Sequence, residues 1–166
     1  MLFYDRGLPL SRDAFLDACG RELTGSDLAL VKGASIRDTE PASPTCDVLD
    51  SWRTWETSLR NHLVRLRASR KGWDADTYLR ESDDVYGTAE IARAAFGEGS
   101  PLDGEEILNR ARWSRVNELE AGHHFDVEKL VTYHLKLQIL ERKSSFDKEA
   151  GSKKLESVLQ TRDGVK

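Results

Sequence analysis

From residue 47 onward, hydrophobic positions recur at three- and four-residue intervals. Leu49, Trp52, Leu59, Leu63 and Leu66 make one apolar stripe and predict a long helix over about 47–71, stopped by Gly72. A short helix is expected from Asp74 to about Glu81. Another is expected from Thr88, read as its cap, to Phe96, with Ile91, Ala92, Ala95 and Phe96 turned inward. Ser100-Pro101 is a strong start signal, because serine caps and proline at the first helical position forfeits no needed hydrogen bond. The helix it opens should reach about Ala121 despite Gly104, with Ile107, Leu108, Ala111, Val116 and Leu119 on a broad apolar side, and Gly122 suits a left-handed terminus. Asp126 then caps a segment unlike the others. Val127, Leu130, Val131, Tyr133, Leu135, Leu137, Ile139 and Leu140 spread around the cylinder, so a helix over about 127–144 must be enclosed by other elements. A last helix is expected over about 147–161, with Leu155, Val158 and Leu159 inward.

The N-terminal third reads differently. Leu2 to Tyr4 is short and apolar, a strand fragment or a frayed end, and Gly7 and Pro9 break it. Ser11 caps a helix near 12–23 that carries Phe15, Leu16, Cys19 and Leu23 on one side; Gly25 ends it and Ser26 caps a short second helix. Residues 34–46 hold two prolines among small polar residues and read as a linker. The pattern therefore divides into an N-terminal helical arm (1–33), a linker (34–46), a main helical domain (47–161) and a tail (162–166). The expected fold is all-α, an irregular multi-helix bundle around the helix at about 127–144.

Composition narrows the function classes. Charged residues make up 33% and the net charge is −4, a balance that disfavours general nucleic-acid binding, which needs a basic footprint. No apolar run approaches the ~20 residues of a membrane span. The opening residues lack the apolar core of a secretory signal. Cys19 and Cys46 match no ligand spacing and read as incidental thiols of a cytoplasmic protein.

Three groups carry candidate chemistry. His123, His124, Asp126 and His134 invite a metal reading, since zinc takes imidazole and carboxylate ligands. Against it, adjacent histidines point apart on a regular backbone, and the HExxH spacing is absent. Glu118, Glu120 and Asp126 could make an acid–base pair if a cleft raised one pKa, or simply be solvated faces and caps. Arg53, Arg60, Arg67 and Lys71 share a helical side beside Trp52 and Trp55, and a positive stripe there suits an acidic partner or an ordinary solvated face. GxxxxGK, GxGxxG and GxSxG are all missing, so no phosphate loop of the Walker type or nucleophile elbow is expected and no cofactor is assigned.

The run ARWSRVNELEAGHHFDVEKLVTYHLKLQILERKSSFDKEAG resembles the C-terminal region of an uncharacterised bacterial family encoded beside the subunits of V/A-type ATPases (ATP synthases). The shared positions are Trp113, Glu118, Phe125, Glu128, Leu130, Tyr133, Leu135, Lys136, Leu137, Glu141, Arg142, Asp147, Glu149 and Gly151. SWRTWETSLRNHLVRLRASRKGWDADTYLRE is similar to the family's middle region, so the resemblance spans about 51–161. Lys143 stands where the family usually has tryptophan, and Val116-Asn117 where Leu-Asp is common. Some members are described as similar to the C (or d) subunit that links the rotor ring to the central shaft.

The resemblance implies a non-catalytic subunit or assembly factor of a bacterial V/A-type ion-translocating ATPase, acting by protein–protein docking. It would be cytoplasmic, or peripheral at the inner membrane through the ATPase complex, without inserting into the membrane itself. Arg53, Arg60, Arg67, Lys71, His123, His124 and Phe125 are the candidate contacts. The alternatives are a metal-dependent hydrolase using His123, His124 and Asp126, and a helical adaptor unrelated to ATPases.

Overall fold

Six α-helices and one short 3-10 turn form the regular structure of the computed structural model, which describes residues 2–37 and 44–146. They are α1 (Arg12–Glu22), α2 (Gly25–Gly33), α3 (Asp47–Lys71), α4 (Thr88–Gly97), α5 (Pro101–Glu120) and α6 (Val127–Ser145), with the 3-10 turn at Asp76–Tyr78. The fold is all-α, with no strand among the described residues. No helix among them is long and apolar enough to cross a membrane. The helix expected at about 147–161 and the tail at 162–166 lie outside the described residues.

Local chemistry sets most helix ends. Ser11, Ser100 and Asp126 each accept a backbone N–H of the first turn they cap, from Ala14, Leu102 and Lys129 respectively. Gly72 closes α3 at φ 67°, and Gly122 turns the chain between α5 and α6 at φ 90°, both in the region where a side chain is strained.

Four local expectations are corrected. Thr24, not Ser26, caps α2: its hydroxyl accepts from Asp27 N, and Gly25 becomes the first helical residue rather than a terminator. Gly87 occupies the cap of α4 and Thr88 lies inside, its hydroxyl donating to Val85 O and bonded to Ser58 Oγ at 2.8 Å. Only one 3-10 turn forms between Asp74 and Glu81. That segment is instead stitched to α3 by Asn61, which exchanges two hydrogen bonds with the backbone of Arg80. The opening residues are neither strand nor frayed end. Leu2 and Tyr4 are buried, Tyr4 donates to Glu106 at 2.9 Å, and its ring meets Trp113 edge-on at 5.5 Å.

Helix α6 is enclosed as its all-round apolar pattern requires. It packs against α1, α2, α3 and α5, and Val131, Leu135, Leu137 and Ile139 have no exposed surface. Four of its polar residues, Thr132, His134, Lys136 and Gln138, are buried too. Gln138 donates to Ala34 O and accepts from Ile36 N. His134 Nδ1–H donates to Val31 O at 2.7 Å, which leaves its buried Nε2 without a partner. Burial holds the His134 pKa below its ordinary 6.5, outweighing the bond to Val31, so the ring is neutral. Arg12 N donates to Glu141 at 2.9 Å and ties the start of α1 to the same helix. Residues 1–33, read as an arm, thus meet α6 through α1 and α2. The described start of the linker, 34–37, is held by Gln138, by Trp52 Nε1 on Ser35 O and by Arg60 on the carbonyls of Ile36 and Arg37.

Helix α4 bridges α3 and α5. It comes close enough to α5 that a Cβ on Gly104 would lie 2.6 Å from Ala95 O. Between α3 and α5, the fully buried Glu56 carboxylate takes two parallel bonds of 2.9 Å from Arg112 and one of 2.8 Å from Arg60. Removing one partner from such a buried cluster typically costs about 3–5 kcal/mol. Burial alone would lower the Arg112 pKa, but the Glu56 charge and hydrogen bonds raise it, so the guanidinium keeps its charge.

Three outcomes are expected from this packing. Leu137→Ala should lower unfolding free energy by about 2–5 kcal/mol in denaturant titration; wild-type stability would refute the enclosed position. Gly104→Ala should destabilise by about 1–2 kcal/mol, because backbone overpacking exceeds the ~1 kcal/mol of helix propensity gained. A raised melting temperature would contradict the close approach. His134 takes up its proton at lower pH when folded than when unfolded. Its contribution is complete above about pH 6.5 and declines as pH falls below that value. Stability of His134→Gln should therefore depend less on pH between 7.5 and 5.5 than wild type; equal slopes would exclude the effect.

Candidate functional site

The corner between α5 and α6 is built by Asp126. One of its oxygens caps α6 through Lys129 N at 3.1 Å, and the other accepts His123 Nδ1–H at 2.8 Å. The His123 bond is the main reason its carboxyl pKa lies below the ordinary value. His124 is exposed, and Phe125 projects fully into solvent. Ligand atoms of His123, Asp126 and Glu128 lie within 4.8 Å of one another. His124 is not in that group, and His134 is held inside the fold by Val31, so the histidine set considered as metal ligands is not brought together.

The carboxylates at this end are engaged as structural anions. Glu118 pairs with Arg115 at 3.0 Å. Glu120 binds Lys129 at 2.8 Å and also the buried ammonium of Lys136, which lies 5.4 Å from the centre of the Trp113 ring. Burial tends to raise the Glu120 pKa, but the hydrogen bonds from the two lysines carry it below the ordinary value. Glu120 and Asp126 are therefore held ionised, contrary to what a general acid needs.

The row Arg53, Arg60, Arg67 and Lys71 is divided by the fold. Arg53 is buried, bonded to Thr45 and paired with Asp50 at 3.5 Å. Arg60 is half-buried and spends its donors on Glu56 and two carbonyls. Trp52 and Trp55 stack on each other in the core, 5.7 Å apart, rather than beside a surface stripe. Arg67 and Lys71 are exposed, and Lys71 sits over the Trp73 ring at 4.4 Å. The heptad spacing aligned these residues along α3, but residues 44–45 and 36–37 cover its N-terminal part and take up the first two arginines.

A cleft of about 290 Å³ opens beside that row. Its walls carry five arginines, Arg37, Arg60, Arg67, Arg112 and Arg142, with one carboxylate, Glu105, and the apolar Leu63 and Leu108. Arg142 pairs with Glu105 at 2.7 Å. A second, larger cleft of about 500 Å³ shares Leu63, Arg67, Glu105 and Leu108 and continues toward Phe96. Only Arg60 and Arg67 of this set were legible as candidates. Arg37, Arg112 and Arg142 come from three other segments, and no spacing in the chain joins them.

Residues 89–163, less than half of the chain, match the model of a family described as "Protein of unknown function (DUF2764)". The match begins within α4, takes in α5, the corner and α6, and continues past the described residues. No curated protein and no solved structure matches the chain. The matched segment thus contains the corner at 122–126 and two of the five cleft arginines, Arg112 and Arg142.

Proposed function

We propose that this chain is a non-catalytic subunit or assembly factor of a bacterial V/A-type ion-translocating ATPase, acting by protein–protein docking in the cytoplasm or at the inner membrane through that complex. The ATPase context rests on the sequence resemblance over about 51–161. The docking role rests on Phe125. An aromatic ring fully in water at a rigid helix corner is the kind of residue that anchors an interface when a partner covers it. The cap on Lys129 and the His123–Asp126 bond hold the backbone beneath it, so little conformational freedom is lost on docking. The exposed Arg67 and Lys71, on another element, supply positive charge for an acidic partner surface.

The metal-dependent hydrolase is kept as a second reading because His123, Asp126 and Glu128 converge within 4.8 Å. Metal analysis of the purified protein separates the two, since a stoichiometric transition metal is expected only for the hydrolase.

Affinity capture from native extract at low salt should recover ATPase subunits. Phe125→Ser should abolish that recovery without changing the melting temperature, because the side chain is fully exposed. Capture with no ATPase subunit removes the proposal, and consistent recovery of a different partner favours the unrelated helical adaptor.

A further inference from the structure

The arginine-lined cleft between α3, α5 and α6 carries more positive charge than the described carboxylates around it neutralise. Five arginines line it. Among the described residues, Glu56 behind the wall and Glu105 on it are the carboxylates paired with them, so three of the five charges have no described counter-charge there. Arg37 and Arg67 make no ion pair with any described residue. The wall also holds two buried donors without acceptors, Arg112 Nη1 and Arg142 Nε. Arg112 is only 7% exposed, so that orphaned N–H is not satisfied by bulk water. Concentrating like charges around a half-enclosed space is costly unless an anion occupies it. Guanidinium forks match the geometry of phosphate oxygens.

We infer that this cleft binds a diphosphate group. Its volume of about 290 Å³ sits at the lower end for small-ligand sites, which run from about 300 to 1,000 Å³, and so suits a compact anion. One phosphoryl group carries about −1.5 to −2 charges and leaves part of the excess unmatched; two come close to balancing it. Arg37 and Arg67, without an ion pair among the described residues, approach the ligand directly. Arg60 contributes its field while still bonded to Glu56, and small rotations of Arg112 and Arg142 bring their orphaned donors to ligand oxygens. The site uses none of the residues of the corner at 122–126, so it stands whether or not the ATPase partner is correct.

Inorganic pyrophosphate titrated into the full-length protein by calorimetry should bind saturably at low salt, more weakly as salt rises, and should raise the melting temperature. Arg37→Gln and Arg67→Gln should each weaken binding about tenfold, the loss of one charge-assisted contact, while the unliganded melting temperature is not lowered, because removing one of the crowded charges relieves repulsion. Arg93→Gln, an exposed arginine of α4 paired with Glu90, should leave binding unaltered. Tighter binding of ADP than of pyrophosphate would identify a diphosphate ester as the source, and the reverse would identify the free anion; either supports the site. The inference is overturned by no saturable binding at millimolar pyrophosphate, by undiminished binding in the Arg37→Gln/Arg67→Gln double variant, by an equal loss in Arg93→Gln, or by citrate binding as tightly as pyrophosphate.

Discussion

One buried carboxylate organises this protein. Glu56 has no exposed surface, and a lone charge there would be untenable. It is tolerated because Arg112 reaches it from α5 through two parallel hydrogen bonds and Arg60 adds a third from α3 itself. That geometry admits one register of α5 against α3. Arg60 then extends the constraint, since its remaining donors hold the carbonyls of Ile36 and Arg37 and so pin the chain leaving α2. The two parallel bonds add a directional constraint to the apolar contact between these helices.

A second ionic lock works on the other side of α5. Lys136 is buried on α6 and meets Glu120 near the end of α5, with the Trp113 ring beside it and Lys129 completing the pair. The two locks together place α5 against both α3 and α6. The short turn through Gly122 follows, and Asp126 caps α6 while fixing His123. The corner, and with it the presentation of Phe125, is thus anchored by the Glu120 ion pairs at the end of α5 and by the Asp126 cap.

The same ionic chemistry explains why the positive cleft exists. Arg60, Arg112 and Arg142, which hold α3, α5, α6 and the 34–37 segment together, converge where those elements meet, and Arg37 and Arg67 join them there. Glu56 and Glu105 neutralise only part of that convergence. The proposed docking tip and the proposed anion site differ in physical character, one an exposed aromatic on a turn, the other a field between helices, and Arg67 serves in both proposals.

The chain alone determined what depends on neighbours in sequence. Periodicity located α3, α5 and α6, because apolar side chains three and four apart must share a helix side. Ser11, Ser100 and Asp126 announced helix starts, since a cap acts within its own first turn. Local signals misplaced the start of α2 and lengthened the 3-10 turn, where Thr24 and the Asn61–Arg80 bonds prevailed. A lysine in the middle of α6 was the one available hint of a buried ion pair, but its partner lies sixteen residues away. Tertiary structure alone decided which charges are buried and which are free. Arg60 lies four residues from Glu56 on α3, but Arg37, Arg112 and Arg142 come from other segments, and their roles depend on distances in space that no sequence spacing encodes.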